Sequence, residues 1–190
     1  MTSACVVKLD PGNSPDDFRG AMRHLVGGVS VITAGRGEDI TGMTVTSVSS
    51  LSVDPPTLIV SISRASSTWP VLKRYGFFGV NILTSDQLDI AERFSGRDGL
   101  KGRERFAGAE WVARVSGAPL LVGALAAIDC EVEEVIERHS HAIVIGRVCD
   151  LMHSKREAAL GYWHGRYVAI DRDEDIARLA AVSIGARSKI

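Results

Sequence analysis

Hydroxyl side chains crowd residues 41–67 (TGMTVTSVSSLSVDPPTLIVSISRASS): Thr44, Thr46, Ser47, Ser49, Ser50, Ser52, Ser61, Ser63, Ser66 and Ser67 all fall within it. In an extended strand Thr44 and Thr46 share one face, and Met43 and Val45 the other. Hydroxyls on such a face can donate to the carbonyls and nitrogens of a flat ring, or to a polyol or phosphate tail, and are small enough to let the ring approach. The backbone of an edge strand can do the same. Composition alone favours the plainer alternative, a solvated strand face followed by a serine-rich turn. Arg64, beside the serines, is either a phosphate partner or a surface charge.

His139 and His141 stand two apart, so in a strand both rings point the same way, as in a paired metal site. No acid or cysteine at a suitable spacing completes such a site, and two surface histidines remain the alternative. His24, His153 and His164 are isolated. Trp163 and Tyr167 either stack on a flat ligand or fill the mouth of the fold. The familiar nucleotide signatures are absent. Gly35-Arg36-Gly37 begins like GxGxxG, but Ile40 stands in the third glycine's place, and there is no Walker A lysine pattern.

The elements that must position these residues are mostly strands. Ser14-Pro15-Asp16-Asp17 opens a short helix, with a hydroxyl cap, a proline in the first turn and acids at the positive end. Phe18, Met22 and Leu25 give it one apolar stripe, and Gly27-Gly28 stops it. Residues 29–33 and 40–48 are extended, and the turn 34–39 (AGRGED) joins them as a hairpin. Residues 57–63 form a strand that the prolines before it place at a sheet edge. A short helix at 69–74 and a strand at 77–83 follow. Ser85 caps a helix over 86–94, with Leu88 and Ala91 facing inward. The glycine- and charge-rich stretch 95–110 reads as a long loop, a candidate gate. Ile128, Cys130 and Val132 alternate with Asp129, Glu131 and Glu133, a strand with one wet face. Its neighbour is 141–152, and 161–170 closes the fold. A helix at 175–181 is the one signal in the tail. Six or seven strands with two or three helices, and no βαβ alternation, give an antiparallel barrel or sandwich with peripheral helices.

The whole chain sets bounds on partners. Its 190 residues carry 22 Lys+Arg against 23 Asp+Glu and 45% hydrophobic residues, the profile of one globular domain with no global field for nucleic acid or an anionic membrane. We divide it into a lead (1–13), a domain (14–170) and a tail (171–190). Nothing at the start resembles a signal peptide, and no apolar run is long enough to span a bilayer. Cys5, Cys130 and Cys149 form no CxxC pair, which points to a reduced cytoplasmic compartment and to Cys130 and Cys149 as buried small hydrophobes.

The ordered series GMTVTSVSSLSVDPP, LIVSISRASS, FFGVNIL, AERFSG, RFAG, GAPLL, DCEVEEVIERHSHAIVIGRV and the closing Tyr-x-x-Gly-x-Tyr resembles the short-chain flavin reductases, from about Phe18 to Ile170. These are the reductase components of two-component flavin monooxygenases. The resemblance implies a mainly β fold, the FMN-binding split β-barrel of antiparallel Greek-key type, usually a homodimer. It implies reduction of FMN or FAD by NADH or NADPH, with reduced flavin passed to a separate monooxygenase. Carried over, Met43, Thr44, Val45 and Thr46 lie along the isoalloxazine, and Ser49 and Ser50 follow toward the ribityl chain. Ser61, Ser63, Ser66 and Ser67 stand near the ribityl and phosphate end, and Phe94 near the far end of the cofactor; Tyr167 stays a cofactor-binding candidate from its place in the closing motif, stacking on nicotinamide or filling the barrel mouth. The family's Gly-Asp-His or Gly-Thr-His is here His139-Ser140-His141: the final histidine keeps the nicotinamide-facing role, while the glycine is replaced by a residue that restricts the backbone. Two other functions fit the same strands: a flavoprotein that retains its flavin and reduces its own substrate, such as a corrinoid or metal complex, and a non-enzymatic flavin- or haem-binding barrel.

Overall fold

The computed structural model describes residues 14–171, so the lead 1–13 and the helix expected at 175–181 lie outside the described residues. The chain opens with α1 (Pro15–Met22), then β1 (Gly27–Gly28), β2 (Ser30–Arg36), β3 (Asp39–Val45), β4 (Ser49–Val53) and β5 (Pro56–Ser63). After α2 (Thr68–Tyr75), β6 (Phe77–Ile82) and α3 (Leu88–Ser95) comes a 3₁₀ turn, Gly102–Phe106. It closes with β7 (Trp111–Ala113), β8 (Pro119–Leu121), β9 (Ala126–Arg138), β10 (His141–His153), β11 (Ala159–Trp163) and β12 (Arg166–Ile170).

Seven strands form one antiparallel sheet in the order β3-β2-β6-β9-β10-β5-β4. The sheet curls around a core that includes Ile32, Val45, Val60, Ile62, Phe78, Val80 and Val144. Burying side chains of this size is worth about 1.5–3 kcal/mol each, which is what holds the curl. The end of β3 turns back onto β5, where Ser47 Oγ donates to the Ser61 carbonyl at 2.8 Å. This is the mainly β split barrel that the resemblance implies. A second core, with Leu83, Ile90, Phe94, Phe106 and Leu120, lies where α3, the 3₁₀ turn and β8 pack on the sheet.

Several local expectations hold. The hairpin pairs Ser30 with Val45 through Arg36 with Asp39, and Ser14 caps α1 with Asp17 closing a capping box. Others are corrected. β5 is internal, flanked by β10 and β4, so the edge falls to β4 and the prolines simply start the strand. Gln87, not Ser85, stands at the start of α3, and Leu88 is exposed while Ile90, Ala91 and Phe94 turn inward. Asp129 is fully buried rather than wet: one carboxylate oxygen accepts the Ser116 N–H at 2.8 Å, anchoring the loop before β8. The stretch 95–110 is no free gate, because Phe106 is buried and Arg105 donates to the Gly42 carbonyl at 2.6 Å. Cys130 is buried, which pushes its thiol up to about 12, whereas Cys149 is only half-buried. No residue of α1 is buried, so its apolar stripe has no core to join.

Candidate functional site

β3 is an edge strand that pairs only with β2. Along its free side alternate N–H and C=O groups therefore have no ladder partner. A cavity of about 390 Å³ opens there, with Met43, Thr44, Val45, Thr46 and Ser47 along one wall. Ser61 and Ser63 of β5, His141 of β10, and Tyr162 and Tyr167 of the β11–β12 hairpin form the rest, with Ser95 and Arg97 at the end of α3. The strand register explains the meeting on β5 and β10: His141 lies opposite Ser63 and Ile143 opposite Ser61, so all four side chains share one face.

Each wall has a local cause. Gly42 lets β3 lie flat on its support, since a Cβ there would sit 2.7 Å from the Ile32 carbonyl and 2.8 Å from the Phe94 ring. Thr44 Oγ1 donates to the Ala91 carbonyl at 2.6 Å, tying α3 to the strand. Phe94 packs edge to face with Phe106 and tilted against Trp111, at centroid distances of 5.0 and 5.5 Å, stiffening β3 from behind. His141 has Ser140 Oγ 2.9 Å from its Nδ1. Tyr162 and Tyr167 pack edge to face at 5.2 Å. Burial lifts the Tyr167 phenol above its ordinary value, with Arg97 opposing, so the ring keeps its proton and can donate.

Of the residues singled out in the sequence, Met43, Thr44, Val45, Thr46, Ser61, Ser63, His141 and Tyr167 meet in this groove. Ser49 and Ser50 do not: they lie on the edge strand β4, opposite Ile59 and Leu58. Ser66 is spent on its turn, donating to the Ser63 carbonyl at 2.8 Å and accepting the Trp69 N–H at 3.3 Å. Ser67 stands exposed at the start of α2, outside the groove. Phe94 is buried beneath β3 rather than facing a ligand. Arg64 is held by the His139 carbonyl and Glu137, both at 3.0 Å, and leaves the phosphate role open. Sequence reading counted Ser47 among the hydroxyls without giving it a place at the cofactor, and passed over Ser95, Arg97 and Tyr162. Ser47 and Tyr162 stand inside quoted motifs, whereas Arg97 sits in an aperiodic charged stretch and reaches the groove only because α3 ends at Gly96. His139 and His141 gather no metal-binding cluster among the described residues.

The groove fits a flat ring with a polar tail, because an apolar strand wall faces tyrosine rings, and hydroxyls and a guanidinium stand at its ends. The sequence profile of the flavin reductase like domain matches residues 22–171. The chain belongs to the flavin reductase-like family. As a flavin reductase-like chain it is 37% identical over 150 residues to the FMN reductase (NADH) RutF of Pseudomonas syringae, covering 79% of this chain and 83% of that protein. It is 32% identical over 162 residues to the reductase subunit HsaB of a flavin-dependent monooxygenase from Rhodococcus jostii, covering 85% and 81%. BorF, the flavin reductase component of a bacterial two-component tryptophan halogenase, superposes with a TM-score of 0.77 at 30% identity, covering 83% of this chain and 99% of BorF.

Proposed function

We propose that this flavin reductase-like chain is an NAD(P)H:flavin oxidoreductase that reduces FMN or FAD and supplies the reduced flavin to a separate monooxygenase. The convergence of an edge strand, two serines, His141 and Tyr167 on one groove carries the reading, and the names of its relatives agree with it. When bound, the flavin supplies the hydride-accepting ring, and the nicotinamide cofactor supplies the hydride.

The protein's part is to hold two rings face to face and to keep water out. The free edge of β3 and the hydroxyl of Tyr167 offer hydrogen-bond donors where negative charge develops on the reduced ring. Arg97, in the groove's wall, has no ion pair among the described residues, so it takes the phosphate role first assigned to Arg64. Ser61 and Ser63 offer hydroxyls to the ribityl and phosphate oxygens. His141, exposed at the rim, orients the nicotinamide without moving a proton, since hydride transfer asks for none from the protein.

The homodimer belongs to the same reading. The face of the sheet that carries His141, Ser61 and Ser63 also carries Ile59, Ile143 and Ile145. A second copy on those isoleucines closes the groove on its open side. No helix among the described residues is long and apolar enough to cross a membrane. The free thiols of Cys130 and Cys149 accord with a reducing, cytoplasmic site of action.

The deciding experiment follows the loss of reduced-nicotinamide absorbance, using NADH and NADPH, with and without added FMN, FAD or riboflavin. Oxidation that depends on added flavin establishes the diffusible-flavin reductase and names the preferred pair. A yellow protein indifferent to added flavin points instead to an enzyme that keeps its flavin and has its own acceptor. A colourless, inert protein overturns both.

A further inference from the structure

Behind β3 lies a cavity of about 450 Å³, larger than the flavin groove. It opens between the β2–β3 turn, the 3₁₀ turn Gly102–Phe106 and the β7–β8 hairpin, and it shares no lining residue with the groove. Phe106 and Trp111, the rings that back Phe94 beneath β3, form one of its walls. Its size is that of a small-molecule pocket.

The walls are fixed by contacts within the fold. Arg105 ties the 3₁₀ turn to β3 through the Gly42 carbonyl at 2.6 Å, and to its own loop through the Leu100 carbonyl at 2.8 Å. Arg93 of α3 donates to the carbonyls of Glu104 and Arg105 at 3.0 and 3.3 Å. The opposite wall is anchored where Asp129 accepts the Ser116 N–H, and beside it Gly117, at φ +84°, leaves room for the Arg36 side chain. Trp111 Nε1 donates to the Phe106 carbonyl at 3.0 Å, so its polar group is already satisfied and the cavity meets the apolar part of the indole. Ile40, Val112 and Pro119 add aliphatic surface. Against this lining one charge stands out, since Arg103 is the single charged residue that borders the cavity among the described residues. Its guanidinium pairs with Glu38, which follows the lining residue Gly37 in the β2–β3 turn, and the two side chains are 60% and 84% exposed. An ion pair so open to water is weakly held.

A preformed apolar cavity with aromatic walls, and at its edge a guanidinium that already grips a carboxylate, matches one ligand chemistry. We propose that the cavity behind β3 binds a small aromatic carboxylate, with its ring against Trp111 and Phe106 and its carboxylate on Arg103 in exchange for Glu38. Ring packing against the two aromatic walls favours a planar aromatic body over an aliphatic one. The guanidinium favours an acid over its neutral analogue, because a charge-assisted pair partly shielded by the ligand's own ring is stronger than the exposed pair it replaces. The cavity is far too small to admit a folded partner. The proposal goes beyond the reductase reading and does not rest on it, since the site holds neither flavin nor nicotinamide.

The test uses the full-length protein, with 2-naphthoate as the probe and 2-naphthamide as its neutral counterpart, each titrated by calorimetry with and without saturating FMN. Three variants are compared with the wild type. Arg103→Gln removes the cation and Glu38→Gln its competitor, both at exposed side chains. Ala113→Phe fills the cavity from an exposed position on β7. The wild type is expected to bind naphthoate more tightly than naphthamide, and FMN to displace neither. Arg103→Gln is expected to weaken naphthoate about tenfold with naphthamide unchanged, and Glu38→Gln to tighten naphthoate about threefold. Ala113→Phe is expected to abolish binding of both probes. Absence of naphthoate binding to the wild type overturns the proposal, and so does an affinity indifferent to Arg103 and Glu38. Displacement of the probe by FMN also overturns it, by placing the probe in the flavin groove. A protein that binds naphthoate through Arg103 yet reduces no flavin keeps this site and removes the reductase reading instead.

Discussion

His141 stands exposed at the groove rim, opposite Ser63 on β5, with its Nδ1 turned to Ser140 Oγ. A ring in that place contacts the outer ligand, not one lying against β3. We therefore expect His141→Ala to raise the KM for NADH about tenfold, the scale of one lost hydrogen bond to a charged group, with the flavin Kd nearly unchanged. Steady-state kinetics and a flavin titration measure the two separately, and an unaltered KM removes the nicotinamide role. Two residues upstream, His139 adopts φ +49° in the β9–β10 turn. The family's glycine at this position was legible from the motif, and the backbone shows why it suits the site: a left-handed residue with a Cβ costs roughly 1–2 kcal/mol, which glycine avoids at a smaller entropic cost. His139→Gly is expected to raise Tm by about 2–4 °C, from a net gain near 1 kcal/mol. Calorimetry that finds a lower Tm would mean that the histidine side chain contributes more than the strain takes away.

Element by element, the site depends on β3 lying flat over α3. Gly42 makes this possible, and Phe94, with Phe106 and Trp111 behind it, supplies the floor. Gly42→Ala forces either the Ile32 carbonyl or the Phe94 ring to move, and overpacking of this kind costs about 1–3 kcal/mol. The expected outcome is a Tm lower by several degrees together with weaker flavin binding, because the same strand carries both stability and the ring wall. A stability loss with unchanged flavin Kd would separate the wall from its support. Short-range order was readable from residues. The β-branched run and glycine turn of β2–β3 and the capping box of α1 are decided within a few positions. What could not be read was decided by distant partners. β5 lost its edge because β4 folds back on it, Asp129 was buried by the loop at Ser116, and Arg97 was carried to the groove by the end of α3. Phe94 was found by motif near the far end of the cofactor, and the structure buries it beneath β3, since a motif records that a residue matters and not which face it packs.

At the scale of the molecule, one surface stays unexplained by a single copy. The outer face of the sheet presents Ile59 and Ile145 as direct neighbours, with Ile143 beside Ser61 and Ile136 opposite it on β9. Ile143 is 39% exposed. Apolar side chains gathered on one sheet face bury more surface against a second copy than against water, and an isologous pair satisfies both copies with the same residues. This face also holds Ser61, Ser63 and His141, so the homodimer proposed above would couple association to catalysis: a monomer would have the groove but lack the wall that keeps water from the transferred hydride. Ile143→Glu places a carboxylate in the middle of that patch and points away from the core. Light scattering on a sizing column is expected to show a monomer, with far-UV circular dichroism unchanged and flavin-dependent NADH oxidation reduced at least tenfold. A variant that remains dimeric and active would locate the contact elsewhere, and a monomer with full activity would show that one chain encloses the rings unaided.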